Sequence, residues 1–186
     1  MSKNRLTILA AGLYIWLNLY ACDISANLPL RNNPPARSSS GGESVAEDES
    51  ATHSDSEEAR LRKEIVAYAK KQLGKPYKYA GKDPKGFDCS GLTGYVMKKF
   101  DIQLSGSSRT QVNDGKKVKI DESQPGDLIF FKRSPDSEIF HVAMVVANSD
   151  KGIEVIHSTQ RGVVVDNITN NDYWAPKIFA ARNVVP

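Results

Sequence analysis

The sequence predicts an α+β domain, with N-terminal helices packed on a largely antiparallel sheet of about five to six strands. Two observations carry this. Apolar residues recur at helical spacing between residues 57 and 100, and from 118 onward β-branched and aromatic runs alternate with short Pro, Gly and Asn breaks. Breaks that short join neighbouring runs as hairpins, and hairpin strands pair antiparallel. Length supplies a third constraint: residues 58–186 suffice to bury roughly two-thirds of their unfolded surface around one core without a disulfide.

The chain has 186 residues, and its first segment reads as address and tether. Lys3 and Arg5 precede an apolar stretch at 6–19, too short for the roughly 20 residues that cross a bilayer, so it reads as a signal peptide. Its ending, Leu19-Tyr20-Ala21-Cys22, resembles the lipobox of bacterial lipoproteins, whose cysteine becomes the acylated N-terminus of the mature chain. That resemblance implies a signal peptide at 1–22, lipidation of Cys22, and a protein that sits on a membrane without spanning it. Several acyl chains, each methylene contributing about 0.8 kcal/mol, make such an anchor stable. The alternative is an ordinary secretory peptide cut near Ala21, leaving Cys22 as a free thiol or disulfide partner. A Cys22–Cys89 bridge would silence the one thiol placed for chemistry and is the less favoured pairing.

Residues 23–56 hold Ser, Pro, Asn, Gly and acidic residues with few large apolar ones, a composition that cannot offset its ordering entropy, so they read as a flexible tether before a domain at 57–186. Segment 23–57 carries a net charge of −5 and 58–186 a net +6. A basic domain suits an anionic polymer or surface, and ordinary solubilising charge explains it equally well. The Lys pairs at 70–71, 98–99 and 116–117 are scattered without aromatic interleaving, and no nucleic-acid motif, metal-spaced cluster, phosphate loop or repeat is present. His53 falls in the tether and is expected to be inert.

Within the domain, Leu61, Ile65, Ala69 and Leu73 recur every four residues and predict a helix over 57–73, with Ser54 and Glu57 at capping-box spacing and Gly74 and Pro76 as stops. A turn-rich stretch at 77–86 leads to a second helix at 90–100, with Leu92, Val96 and Phe100 on one face and Asp88 placed to cap it. A short helical turn follows at 107–113. Strands are predicted at 118–120, 128–131, 141–146, 153–158, 163–167 and 178–184.

The pentapeptide Phe87-Asp88-Cys89-Ser90-Gly91 puts a thiol at a helix start. There, or beside an imidazolium, a thiol pKa of about 8.5 can fall to roughly 3.5–7.5. His141 opens one predicted strand and His157 closes the next, 16 residues on. That gap fits a single hairpin and would set the two rings side by side. Taken singly, such a cysteine is more often a small core residue and such histidines satisfied edge residues.

In order and spacing, residues 77–91, Gly126-Asp127-Leu128-Ile129-Phe130-Phe131, His141-Val142 and Ile156-His157-Ser158 together resemble the NlpC-type cell-wall cysteine peptidases, a papain-like clan. The resemblance covers nearly all of 58–186. It implies a papain-like fold with Cys89 as nucleophile, His141 as general acid and base, and His157 as the residue that orients it. It also implies oxyanion donors in the Cys89 backbone N–H and the Tyr77 hydroxyl, and a substrate amino group bound near Asp88 and Ser90, although Asp88 reads equally as a helix cap. Asp127 is expected to stabilise a turn, and Phe130 and Phe131 to lie in the core. Neither cofactor nor metal is implied. Where many relatives carry a basic residue before a Ser/Thr pair, this chain has Leu104-Ser105-Gly106-Ser107-Ser108-Arg109, so that charge is displaced to Arg109 or missing. Tyr79 stands where relatives often have Trp, and Ala80 replaces one of a Gly pair.

The resulting expectation is a monomeric, lipid-anchored endopeptidase of the bacterial envelope, on its periplasmic or cell-surface face, that hydrolyses amide bonds in peptidoglycan stem peptides or cross-links and binds no nucleic acid. The rival readings are a thiol-dependent amidase or acyltransferase acting on a wall or lipid amide, and a non-catalytic envelope adaptor.

Overall fold

In the computed structural model, residues 49–186 are described; Cys22, the signal segment and nearly all of the expected tether lie outside them. The first helix, α1 (Glu49–Lys70), starts earlier than the sequence predicts. Ser54 and Glu57 therefore lie inside the helix and do not cap its start, because no Gly or Pro interrupts 49–70. After Lys70 the chain tightens into turns, and Gly74 takes the left-handed conformation at φ 76° that ends a helix cleanly. The Gly74 amide donates to the Val163 carbonyl at 2.9 Å, and Val163 N–H donates to Lys75 O at 2.9 Å, so the exit from α1 is pinned to a distant strand.

Two short strands that the sequence reading missed, β1 (Lys82–Asp83) and β2 (Gly86–Phe87), make a small hairpin just before α2 (Cys89–Lys98). With two residues each, they offer no alternation to read. A single turn, α3 (Ser108–Gln111), follows. Six strands then form: β3 (Lys116–Val118), which shares only Val118 with the predicted 118–120, and, close to their predicted ranges, β4 (Leu128–Lys132), β5 (Ile139–Ser149), β6 (Gly152–Thr159), β7 (Gly162–Asn167) and β8 (Ile178–Asn183). They pair antiparallel in the order β3-β8-β4-β5-β6-β7. Consecutive strands are neighbours except β8, which returns to lie between β3 and β4.

Alternation along the strands sends side chains to two cores. Leu128, Phe130, Val142, Met144 and Ile156 pack against Ile65, Val66, Leu92, Val96 and Met97 of α1 and α2. On the other parity, Ile129, Phe131, Ala143, Val145 and Val155 pack with Ile168 and Trp174 from the β7–β8 connection. Phe130 and Phe131 are both buried, as expected, one in each core.

Candidate active site

Cys89 is the first residue of α2, and a set of contacts around it fixes where that helix begins. Asp88, in extended conformation, accepts hydrogen bonds from the Gly91 amide at 2.6 Å and from Ser90 Oγ at 3.0 Å, an N-cap of the expected kind. Its own amide donates to Gly81 O at 3.0 Å. Gly91 presses so closely on the β1–β2 hairpin that a Cβ there would lie 1.9 Å from Gly81 O. On the sheet side, Ser158 Oγ donates to Phe87 O at 2.7 Å, fastening the segment before Cys89 to β6 beside His157.

His141 and His157 lie on the same sheet face, the one that carries Trp174. The β5–β6 register pairs Met144 with Ile156, so the histidines are diagonal neighbours rather than directly opposed, and still within reach of one another. His141 Nε2 and His157 Nδ1 are 3.1 Å apart. Trp174 stacks on His141 with ring centroids 4.8 Å apart and also contacts His157 at 5.0 Å. Phe131 closes on His141 from below at 5.6 Å. Packed this way, the His141 ring has little freedom to turn.

Cys89, His141 and Tyr77 line one cavity of about 540 Å³, together with Arg133, Phe140, Arg161, Asp166, Tyr173 and Trp174. The structure thus brings three of the expected residues to a common space and sets His157 directly behind one of them. Ser90 instead lines a separate cavity of about 470 Å³, together with Tyr95, Lys98 and Leu104. Asp88 is engaged as a cap. Arg109 points away from both, into an exposed ion pair with Glu138 at 2.8 Å, so it does not restore the displaced basic charge to the Cys89 cavity. Tyr79 is 86% exposed.

Two groups were not foreseen. His157 Nε2 lies 3.0 Å from Asp166 Oδ2, and the same carboxylate oxygen is ion-paired with Arg161. Trp174 is the second. Asp166 sits on β7, where β6 Ile156 pairs with Val165 and Val155 with Asp166; an acidic residue directly after Val163-Val164-Val165, inside the predicted strand 163–167, was the available signal. Trp174 had only its place in a turn-rich connection.

Electrostatics at the site follow its dryness. Burial pushes the Cys89 thiol above its ordinary value, and the Asp88 charge adds to this; hydrogen bonding with the Val142 and Ser90 backbone only partly compensates. Burial thus acts on the thiol in the direction opposite to the depression expected at a helix terminus. His141 falls to about 3, through burial first and then repulsion from His157. Burial also lowers His157, against the opposing pull of Asp166. Tyr77 is raised, by burial and then by the neighbouring Cys89 and Asp88, so its phenol keeps its proton as a donor. At neutral pH the resting site is a thiol facing a neutral imidazole.

A thiol at a helix start and a sheet histidine that meet at one cavity, with a second histidine bonded behind the first, sit in a papain-like α+β domain. The chain belongs to the NlpC/P60 family, which it matches over residues 74–183. It is 40% identical over 109 residues to the probable endopeptidase p60 of Listeria grayi, covering 59% of this chain and 20% of that protein. It is 40% identical over 124 residues to the gamma-DL-glutamyl hydrolase of Bacillus subtilis (strain 168), covering 64% of this chain and 29% of that one. The chain thus spans less than a third of the length of either relative. Among solved structures, the NlpC/p60 domain of the peptidoglycan hydrolase SagA is similar with a TM-score of 0.54 and 34% identity, over 64% of this chain and 95% of that one.

Proposed function

We propose that the protein is a cysteine endopeptidase that hydrolyses amide bonds in peptidoglycan stem peptides or their cross-links. The observation that carries this reading is the His141–His157 hydrogen bond of 3.1 Å at a cavity that also exposes Cys89. The relatives named as endopeptidase, gamma-DL-glutamyl hydrolase and peptidoglycan hydrolase support the substrate class. So does Arg133 at the cavity rim, its guanidinium over the Phe140 ring at 4.5 Å, a cation suited to a carboxylate-bearing peptide. Cys22 as a lipid anchor, placing the enzyme on an envelope membrane, belongs to the same proposal.

Because thiol and imidazole are both neutral at rest, proton transfer accompanies attack. His141 takes the Cys89 proton through the ring nitrogen not bonded to His157, the sulfur attacks the carbonyl, and the imidazolium returns the proton to the leaving amine. Water, activated by the same imidazole, then hydrolyses the acyl-enzyme. The Tyr77 phenol and the Cys89 backbone N–H supply donors for the oxyanion.

Purified sacculi and Cys89→Ser test the proposal. The wild-type protein should release new free amino groups from stem amino acids, whereas the variant should lose at least about a thousandfold in rate and fold unchanged. Retained activity in the variant would refute the thiol mechanism. Release of whole peptides from muramic acid would establish an amidase instead, and binding of sacculi without any product would leave only the adaptor reading.

A further inference from the structure

Resting on the thiol–imidazole reading above, we propose that Asp166, held by Arg161, is a positioning residue that fixes the tautomer of both histidines and so aims the basic nitrogen of His141 at Cys89. The geometry dictates the chain of roles. A carboxylate can only accept, so Asp166 Oδ2, 3.0 Å from His157 Nε2, requires the proton of His157 to sit on Nε2. His157 Nδ1 is then a lone pair and accepts from His141 Nε2–H across 3.1 Å. That leaves His141 Nδ1 unprotonated and free for the thiol. Without a fixed acceptor behind it, His157 could carry its proton on Nδ1 and force His141 into the tautomer that cannot act as base.

Arg161 has the complementary task. His157 is fully buried and is faced by His141 from β5, Asp166 from β7, Arg161 from the β6–β7 turn and the neutral Trp174 ring, while Cys89 and Tyr77 lie across the adjoining cavity. An uncompensated carboxylate against that ring would favour an imidazolium, and an imidazolium cannot accept from His141. The guanidinium of Arg161, ion-paired to the same Oδ2, offsets the charge while leaving the acceptor in place. Burial and the Arg161 charge both hold His157 in the neutral form.

The tests separate this from a structural role and from failure of the peptidase reading. Long-range ¹H–¹⁵N spectra of the ¹⁵N-histidine-labelled full chain should find His141 and His157 both protonated on Nε2, a readout that needs no substrate. Asp166→Ala should scramble that assignment and lower kcat on defined muropeptides by roughly ten- to a hundredfold, and Asp166→Asn, whose amide oxygen can still accept, should recover most of it. Arg161→Gln should move the acidic limb of kcat/KM to higher pH, and the double variant Asp166→Asn with Arg161→Gln should bring it back. A wild-type His157 protonated on Nδ1 would overturn the proposal. So would an Asp166→Ala variant that keeps full kcat, or one whose pH profile and tautomers are unchanged while only its melting temperature drops. If no muropeptide is cleaved, the tautomer assignment still decides the positioning role, and only the peptidase reading fails.

Discussion

Cys89 sits where the helix dipole favours a thiolate, yet burial, helped by the Asp88 charge, pushes the thiol above its ordinary value. Its alkylation by iodoacetamide should therefore rise with pH to a midpoint above the usual range near 8.5; a plateau already reached at pH 6 would mean a preformed thiolate–imidazolium pair. His141 makes a second expectation at the residue scale. Its folded pKa of about 3 lies far below the ordinary 6.5, through burial and then the neighbouring His157. Between those values the unfolded chain binds a proton that the native state refuses, so stability is full above pH 6.5 and is lost as pH falls toward 3, at up to about 1.4 kcal/mol per pH unit. Denaturant midpoints measured from pH 7 down to 4 should fall more steeply for the wild type than for His141→Gln, and parallel curves would contradict the buried neutral ring. The residues that carry these effects were visible as Cys89, His141 and His157 in the chain. The direction of the thiol shift was not, because burial is a property of what surrounds a residue.

At the scale of elements, the decisive join is between the start of α2 and the β1–β2 hairpin. Gly81 and Gly86 read as turn residues in the sequence and Gly91 as part of the helix start, and in the fold they allow backbone to touch backbone: a Cβ on Gly81 would lie 2.2 Å from Gly86 O, and one on Gly91 would lie 1.9 Å from Gly81 O. Gly91→Ala should push α2 off the hairpin and displace Cys89. We expect a loss of roughly 1–3 kcal/mol in stability together with a larger proportional loss of hydrolytic rate; an alanine variant of native stability and rate would show that the two backbones part easily. By contrast, Gly94→Ala meets nothing closer than Gln111 Nε2 at 3.9 Å and serves as the matched control. Helix identity was legible because apolar residues recur every four positions, and strand identity because β-branched and aromatic runs are set off by short turn residues. The hairpin and the true start of α1 were not, since two-residue strands carry no period and a polar helical stretch lacks an apolar face.

Across the whole molecule, one buried ion pair ties the helical layer to the sheet. Arg62 of α1 donates to Asp127 Oδ1 at 2.8 Å and to Pro125 O at 2.9 Å, while Asp127 Oδ2 accepts from the Gln124 amide at 2.9 Å, with both side chains almost fully covered. The turn role foreseen for Asp127 holds, and the longer-range partner adds to it. Burial pushes the Asp127 carboxyl up despite these bonds, evidence of how dry the contact is. Arg62 also pairs through Nε with Glu58 at 2.8 Å. Asp127→Ala should therefore cost about 1–3 kcal/mol, measured by equilibrium denaturation, from the lost buried pair and the Gln124 amide left without its acceptor, with Asp127→Asn less costly; a loss under about 0.5 kcal/mol would mean that water reaches the contact.

The sequence by itself determined the α+β class, the six sheet strands and the thiol and histidines to watch, because each is written in local periodicity, turn chemistry or a compact motif. The tertiary structure alone decided that the histidines meet on a diagonal under Trp174, that Asp166 and Arg161 stand behind them, and that Ser90 opens to a different cavity from Cys89. Those outcomes depend on strand register and on which face of the sheet each side chain takes, and a single step of register exchanges every face.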